Sequence, residues 1–181
     1  MIEQTPDISV VVPVHDEQGA AGPLAREIAT AFAGRSYEMI FVDDASKDGT
    51  LAELRALMPE LPALRVFSHG SNAGQSRAVR TGVLAARGAV VVTLDGDGQN
   101  PPADAPKLVD LLLASPPHVA LVGGGRSAST GRPANRAIRA ASNGPRQPAM
   151  HRSRSGRIMF IFLTRPFARR QPSLPGRSET R

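Results

Sequence analysis

Two acidic side chains separated by one residue follow directly after a run of apolar residues. The apolar run is Ala89–Leu94, and the acids are Asp95 and Asp97. Mg²⁺ and Mn²⁺ prefer carboxylate oxygens, and both ions readily share a coordination shell with phosphate oxygens. The glycines on either side of Asp97 let the backbone bend so that both acids and Gln99 can converge. Such a pair also occurs in ordinary polar turns, but its place at the end of a buried strand favours a metal site.

A second acidic cluster also begins where an apolar run ends. Asp43 and Asp44 follow Met39–Val42, and Asp48 comes shortly after them. Two adjacent carboxylates repel each other unless a positive charge or a hydrogen-bond donor lies close by. Asp48 is well placed to cap a helix that begins near Thr50 and is therefore expected to be structural. Asp43 and Asp44 are left as candidate ligand-binding residues.

The first apolar run is followed by a polar cluster of its own. Asp16 and Glu17 come just after Ile8–Val14. Carboxylates in this position can meet a ligand hydroxyl or the edge of a base. They can equally start the next helix, with Asp16 as its cap and Glu17 in its first turn. Taken alone, the cluster favours the helix interpretation.

A further polar segment, Asn72–Gly82, is typical of a loop that passes into the N-terminus of a helix. This is a natural place for an anion, because the first backbone N–H groups of a helix have no partner within it. Arg77 and Arg80 could face phosphate or equally well water. Gly82 is expected to mark close packing of the helix.

These clusters must be positioned by strands and helices in alternation. Five apolar segments are continuous and rich in Val and Ile, as expected for strands buried on both faces. They are Ile8–Val14, Met39–Val42, Leu64–Phe67, Ala89–Leu94 and Val119–Val122. Segments with helical spacing lie between them, which predicts an α/β fold with a mostly parallel sheet flanked by helices. Ligands bind beyond the carboxyl ends of such strands, so we expect the acidic clusters to meet at one edge.

Charge is divided unequally along the 181 residues, although the formal net charge is only +6. Residues 1–122 contain 9 Lys and Arg against 15 Asp and Glu, whereas residues 123–181 contain 13 against 1. The length suits one domain. The sequence has no cysteine, which excludes a disulfide framework, thiolate metal ligands and a cysteine nucleophile.

The basic C-terminal residues predict an irregular tail. One-sided charge and low hydrophobicity are typical of disorder, and only Arg157–Leu163 could join a core. The tail could be a basic arm for nucleic acid or anionic lipid, or a non-native segment read in a wrong frame. The sequence contains neither a secretion signal nor a run of about 18 apolar residues. We therefore expect a cytoplasmic chain without a transmembrane segment, at most peripheral to the membrane.

Together the clusters resemble the family 2 nucleotide-sugar glycosyltransferases with the GT-A fold. Four motifs carry the resemblance, and their order and spacing are specific although each motif alone is weak. They are VVPVHDE at 11–17, VDDASKDGT at 42–50, NAGQSRAVRTG at 72–82 and LDGDGQNPP at 94–102. The last motif is similar to the branch that contains dolichyl-phosphate mannosyltransferases and bacterial polyprenyl-phosphate sugar transferases. The resemblance covers residues 8–126.

The resemblance implies a nucleotide pocket. Pro13, His15 and Glu17 would line this pocket. Asp44 would recognise the base or the ribose, with support from Asp43. His15 stands where the family more often has tyrosine, so stacking on the base is not carried over.

The resemblance also implies a metal and phosphate site. Asp95, Asp97 and Gln99 would hold Mg²⁺ or Mn²⁺ on the donor diphosphate, with Asp97 as a direct catalytic ligand. The metal would offset the negative charge that grows on the leaving diphosphate. Arg126, in the sequence GGGR, matches an arginine that contacts phosphate in this branch.

The implied reaction moves mannose or a similar hexose from a GDP- or UDP-sugar to a polyprenyl phosphate, dolichyl or undecaprenyl, with inversion. Because the acceptor oxygen is already anionic, no general base is required. Residues 127–181 do not resemble the acceptor-side half of the family. The chain is therefore expected to be a truncated or frame-shifted member in which residues 1–126 form the nucleotide-sugar-binding half. Such a chain would have weak activity or none.

Other functions predict different sequences. A haloacid-dehalogenase-type phosphohydrolase carries Asp-x-Asp on its first strand and a later lysine, but here the pair follows the fourth strand and the last lysine is Lys107. A dinucleotide-binding domain requires G-x-G-x-x-G after the first strand, where this chain has PVHDE. A nucleic-acid-binding protein acting through the tail remains the alternative, although nucleic acid is not the expected partner.

Overall fold

The computed structural model describes residues 5–98, 101–116, 121–126, 133–136 and 158–163. The strands are β1 (Ile8–Val14), β2 (Tyr37–Asp43), β3 (Leu64–Ser68), β4 (Val90–Thr93), β5 (Leu121–Arg126), β6 (Pro133–Arg136) and β7 (Ile158–Leu163). The helices are α1 (Ala21–Ala31), α2 (Thr50–Leu57), α3 (Gln75–Ala85) and α4 (Ala105–Ala114), the last preceded by a 3₁₀ turn, Pro102–Asp104. Within these residues no helix is both long enough and apolar enough to cross a bilayer.

The strands of the described residues form one sheet in the order β3-β2-β1-β4-β7-β5-β6. β3, β2, β1 and β4 are parallel to one another, whereas β7 is antiparallel to both β4 and β5. Helices connect the parallel strands, so the carboxyl ends of these strands lie at the same edge of the sheet. The predicted α/β fold with a mostly parallel sheet is confirmed.

The C-terminal strands differ from the sequence expectation. The fifth strand is Leu121–Arg126 rather than Val119–Val122, and residues 117–120 lie outside the described part. β6 and β7 both fall in the tail that was expected to be irregular. β7 is the apolar run IMFIFL, which pairs with β4 and β5 and so becomes an internal strand. The rest of the tail lies outside the described residues.

Apolar side chains pack on both faces of the sheet. On one face, residues of α1, α2 and α4 form the larger buried cluster with Val10, Val12 and Phe41. On the other face, Ala78 of α3 packs with Val11 and neighbouring strand residues. β1 is buried along its whole length, which explains why its sequence is apolar without alternation.

Helix α3 approaches the sheet closely at Gly82. A Cβ atom at this position would come within 2.3 Å of Val11 Cγ1 and 3.3 Å of Val42 Cγ2. Both valines are fully buried, so they have little room to move away. The prediction that Gly82 marks close helix packing is confirmed.

A buried carboxylate links the amino-terminal ends of the strands. Glu38 is 2% exposed. It accepts hydrogen bonds from the Ser9 hydroxyl (2.7 Å), from Arg65 Nη1 (2.6 Å) and from the backbone N–H of Arg87 (2.7 Å). Burial raises the pKa of Glu38, but these donors lower it by more, so the net pKa lies below its ordinary value. This cluster joins β1, β2 and β3 at their amino-terminal ends, which lie at the end of the sheet opposite to the acidic motifs.

Candidate functional site

An open cleft lies at the carboxyl-terminal edge of the parallel strands. Its volume is about 530 Å³. The loops that follow β1, β2 and β4 bound it, together with the segment that leads into α3. We call it the acidic cleft, and its lining residues are Pro13, Val14, His15, Glu17, Asp44, Asn72, Gly74, Gln75, Asp95, Gly96 and Asp97.

The loops after β1 and β2 are tied together by bonds between side chains and backbone. Asp16 Oδ1 accepts a hydrogen bond from the backbone N–H of Lys47 at 2.7 Å. Asp48 Oδ1 accepts one from the backbone N–H of Thr50 at 2.9 Å, at the start of α2. The structural role expected for Asp48 is therefore confirmed. Asp16 braces the neighbouring loop and is not a helix cap, because α1 begins only at Ala21.

Asp44 is fixed in the wall of the acidic cleft. Its Oδ1 accepts from the backbone N–H of Ala73 (2.9 Å) and lies 2.7 Å from His69 Nδ1. Its Oδ2 accepts from the backbone N–H of Gly74 at 2.6 Å. Burial raises the pKa of Asp44, but these hydrogen bonds lower it by more, so the net pKa lies below its ordinary value. Asp44 is therefore ionised at neutral pH, and Oδ2 can accept a further donor.

Three residues of the site were not assigned a role from the sequence. His69 bonds to Asp44, and its Nε2 lies 2.9 Å from Thr81 Oγ1. Asn72 Nδ2 lies 3.0 Å from His15 Nε2, and Gln75 also lines the cleft. His69 stands directly after β3, so the rule that polar residues beyond a strand end are site candidates points to it.

The segment that carries Asp95 and Asp97 packs against the end of β1. A Cβ atom at Gly96 would come within 2.5 Å of the Pro13 carbonyl oxygen, so this position has no room for a side chain. Asp95 Oδ1 accepts a hydrogen bond from Gln75 Nε2 at 3.0 Å. These contacts hold the pair at the cleft.

Negative charge is concentrated in the acidic cleft. Four carboxylates line it, and among the described residues no lysine or arginine does. The pKa of Glu17 is raised, first by burial and then by the negative charges of Asp97 and Asp48. A cation bound beside Glu17 and Asp97 would relieve this repulsion.

Asp95 and Asp97 fit a divalent cation as part of its coordination shell. In the part of the chain that the structure describes, no group of three or more His, Asp or Glu side chains is arranged to hold a metal ion. Mg²⁺-type sites, however, commonly use one or two carboxylates and complete the shell with water and substrate phosphate oxygens. The two carboxylates therefore suit an ion that is shared with a phosphate-bearing ligand.

Six residues expected in the site lie together in the acidic cleft: Pro13, His15, Glu17, Asp44, Asp95 and Asp97. Asp43 does not line it. Asp43 is 1% exposed, and its carboxylate accepts hydrogen bonds from the Ser46 N–H and the Ser68 hydroxyl. Asp43 is the last residue of β2, and these contacts hold its carboxylate there. Its expected part in nucleotide binding, as support for Asp44, stays a prediction. Gln99 and the side chain of Arg126 lie outside the described residues.

The chain is similar in sequence to enzymes that act on polyprenyl phosphates, as their names state. It is 39% identical over 112 residues to dodecaprenyl-phosphate galacturonate synthase of Rhizobium johnstonii, covering 60% of this chain and 33% of that protein. It is 39% identical over 107 residues to undecaprenyl-phosphate 4-deoxy-4-formamido-L-arabinose transferase of Pseudomonas paraeruginosa, covering 57% and 31%. The chain thus spans about a third of the length of these curated relatives.

The fold is similar to solved structures. A mannosyltransferase from Pyrobaculum calidifontis, in complex with GDP-mannose and Mn²⁺, superposes with a TM-score of 0.57 at 26% identity, covering 66% of this chain and 35% of that one. Glucosyl-3-phosphoglycerate synthase from Mycobacterium tuberculosis, in complex with Mn²⁺, UDP and glucosyl-3-phosphoglycerate, has a TM-score of 0.53 at 26% identity, covering 64% and 42%. Both comparisons agree with the GT-A fold that the motifs imply.

The family comparison covers most of the chain. The sequence profile of the family described as "Glycosyl transferase family 2" matches residues 9–174. This match extends past residue 126, where the motif resemblance was expected to end. With the profile, the fold and the cleft in agreement, the chain belongs to glycosyl transferase family 2.

Proposed function

We propose that this chain provides the donor site of a glycosyltransferase that moves a sugar from a nucleotide sugar to a polyprenyl phosphate. The names of both curated relatives support a polyprenyl phosphate acceptor. The two solved structures support a nucleotide-sugar donor, one with GDP-mannose and the other with UDP. In this proposal residues 1–126 are the donor half, the sugar is mannose or a similar hexose, and the chain works peripherally at the cytoplasmic membrane face.

The observation that carries the proposal is the convergence of Asp44, Asp95 and Asp97 on one cleft. A nucleoside diphosphate is itself anionic, so a carboxylate-lined cleft would repel it without a bridging cation. Asp95 and Asp97, together with Gln99, would hold Mg²⁺ or Mn²⁺. When bound, such an ion neutralises the charge that develops on the leaving diphosphate.

The nucleoside is assigned to the other end of the cleft. Asp44 Oδ2 accepts one described hydrogen bond, from Gly74, and can accept another from a base N–H or a ribose hydroxyl. Pro13, His15 and Glu17 line the same cleft. Because Asp44 is held by backbone donors on either side, it meets the nucleoside without rearranging.

No side chain is assigned as a general base. The oxygen of a polyprenyl phosphate already carries negative charge, so it can attack the anomeric carbon without losing a proton. Attack on the face opposite the leaving diphosphate inverts the anomeric centre. The carboxylates of the cleft therefore serve as ligands, and Arg126 is assigned to phosphate contact.

Calorimetric titration tests the donor site. GDP and UDP are titrated into the full chain with and without Mn²⁺, and into Asp97→Asn. We expect nucleotide binding that depends on Mn²⁺ in the wild type and is lost in Asp97→Asn, because one direct oxygen ligand becomes a weaker neutral one.

Asp104→Asn is the matched control for this titration. It makes the same chemical change at a half-exposed carboxylate that pairs with Lys107 outside the cleft. Asp104→Asn should bind nucleotide as the wild type does. Equal binding by Asp97→Asn and the wild type would contradict the assignment of Asp97.

A further inference from the structure

A second cleft, of about 730 Å³, opens beside the acidic cleft. It lies beyond the carboxyl end of β3 and along the first turns of α3. Its functional side chains are Ser68, His69, Ser71, Arg77, Arg80 and Thr81. None of the residues that line it lines the acidic cleft. We call it the basic cleft.

A thin wall separates the two clefts. Asp44 faces the acidic cleft and His69 faces the basic cleft, and their side chains are joined across the wall at 2.7 Å. The segment just before α3 also belongs to this wall. Asn72 and Gly74 line the acidic cleft, and Ala73 lines the basic cleft. The two clefts are therefore adjacent but chemically distinct.

The two guanidinium groups of the basic cleft are the strongest sign of a ligand. Arg77 and Arg80 are three residues apart in α3, so they share a face of the helix. Within the described residues neither forms an ion pair, and no carboxylate lines this cleft. Of the other arginines whose side chains the structure describes, Arg55 on the exposed side of α2 also has no ion pair, whereas four pair with a carboxylate: Arg26, Arg35, Arg65 and Arg87.

We propose that the basic cleft binds a phosphate-type anion between Arg77 and Arg80. Guanidinium groups match the geometry of phosphate oxygens and are the preferred partners for them. Ser71 adds a hydroxyl donor to the same cleft. This ligand is separate from the nucleotide of the proposed function, because Arg77 and Arg80 do not line the acidic cleft.

The anion could be a lipid headgroup or a free phosphate compound. Leu84 lies one turn beyond Arg80 on α3 and is 68% exposed, a combination of basic and apolar groups that suits a lipid surface. A soluble phosphate compound would need only the two guanidinium groups. The two sources share one binding chemistry and are separated by the test.

The test compares two double variants of the full chain. Arg77→Gln/Arg80→Gln removes both arginine charges from the basic cleft. Arg26→Gln/Arg55→Gln, the control, removes the same number of positive charges from exposed positions on α1 and α2. Both double variants keep the basic tail of the wild type. Inorganic phosphate is titrated at constant ionic strength while the arginine Nε–H signals are followed by NMR. Binding to phosphatidylcholine vesicles with and without phosphatidylglycerol is measured by co-sedimentation.

A phosphate site predicts saturable shifts of the Arg77 and Arg80 signals and about tenfold weaker binding in Arg77→Gln/Arg80→Gln alone. A headgroup site predicts that the same variant selectively loses binding to vesicles that contain phosphatidylglycerol. Either result supports the proposal and identifies the source. If the two double variants behave alike with both probes, the proposal is overturned, whatever the outcome of the nucleotide titration.

Discussion

At the scale of single residues, Asp44 shows how the fold holds a carboxylate in place at a cleft. Backbone donors from Ala73 and Gly74 and the ring of His69 surround its carboxylate. The carboxylate of Asp43, its neighbour in sequence, instead accepts hydrogen bonds from the Ser46 N–H and the Ser68 hydroxyl. The two adjacent acids thus have different partners, because Asp43 ends β2 whereas Asp44 belongs to the loop that follows it.

His69 is predicted to position Asp44 for nucleotide binding. His69→Ala removes one of the two donors at Asp44 Oδ1 and leaves the backbone donors of Ala73 and Gly74. The carboxylate is then held less firmly, and we expect nucleotide affinity to fall roughly tenfold. The dissociation constant for GDP or UDP in the presence of Mn²⁺, measured by calorimetry, checks this.

His69→Asn is the control for that prediction, because the asparagine amide can donate where the imidazole Nδ1 does. Affinity should recover substantially in His69→Asn, whereas a purely structural role would predict equal losses in both variants. Full nucleotide affinity in His69→Ala would contradict the positioning role.

At the scale of elements, α3 couples the sheet to both clefts. Its first turns carry Gln75 and Arg77 at the clefts, and Gly82 rests against Val11 and Val42. A shift of this helix would therefore move groups of both clefts at once. The close packing at Gly82 is what prevents that shift.

Gly82→Ala is predicted to destabilise the fold. The new methyl group would overlap Val11, which is buried and stiff at χ1, so we expect a loss of about 1–3 kcal/mol in the free energy of unfolding. Urea unfolding followed by circular dichroism measures it. Gly70→Ala is the control, because a Cβ atom there meets nothing within 4 Å; equal stability of the two variants would contradict the packing argument.

The elements also show what the sequence could reveal. Continuous apolar runs identified β1, β2 and β4, because these strands are buried along nearly their whole length. β3 was identified in the same way, although only its Leu64 is buried. The position of β7 between β4 and β5 could not be read in this way, since strand pairing over so long a separation depends on the whole sheet.

The site was predictable for a related reason. In parallel strands the polar residue just after each strand lies at the ligand-binding edge, and this rule located Asp44, Asp95 and Glu17. The same rule points to the position of His69, but its contact with Asp44 joins residues 25 positions apart, which the sequence pattern does not show. The choice between Asp43 and Asp44 depended on side-chain contacts that composition does not contain.

At the scale of the whole molecule, two glutamates with opposite pKa shifts lie at opposite ends of the parallel strands. Glu17 in the acidic cleft has a raised pKa, first because of burial and then because like charges surround it. Glu38 at the far edge has a lowered net pKa, because its hydrogen bonds outweigh burial. One edge is thus organised for stability, and the other accepts repulsion that a bound cation would relieve.

Stability is predicted to fall in acid because of Glu38. The folded-state pKa of Glu38 lies below its ordinary value of 4.5, so the unfolded chain binds more protons there. The contribution is complete above pH 4.5 and is lost as the pH falls through the lower, folded-state pKa. Urea unfolding between about pH 3 and pH 7 measures this slope.

Glu38→Gln should lower the free energy of unfolding by about 2 kcal/mol at neutral pH, because Arg65 and Arg87 lose a buried charged partner. It should also make the free energy of unfolding depend less on pH below pH 4.5. Glu60→Gln is the matched control, since Glu60 pairs with Arg26 at the surface, where such pairs contribute little. If the free energy of unfolding of Glu38→Gln falls in acid as steeply as that of the wild type, the role of this cluster is contradicted.

In the proposed function, Asp95 and Asp97 beyond β4 bind the donor diphosphate through a shared divalent cation, and Asp44 beyond β2 meets the nucleoside. Paramagnetic broadening of backbone NMR signals by Mn²⁺, in the presence of UDP or GDP, tests it most directly. We expect the signals of Glu17, Gly96 and Asp97 to broaden first. We also expect Mn²⁺ binding to saturate at one ion per chain only when nucleotide is present. Broadening centred elsewhere on the chain, or nucleotide binding that Mn²⁺ leaves unchanged, would contradict it.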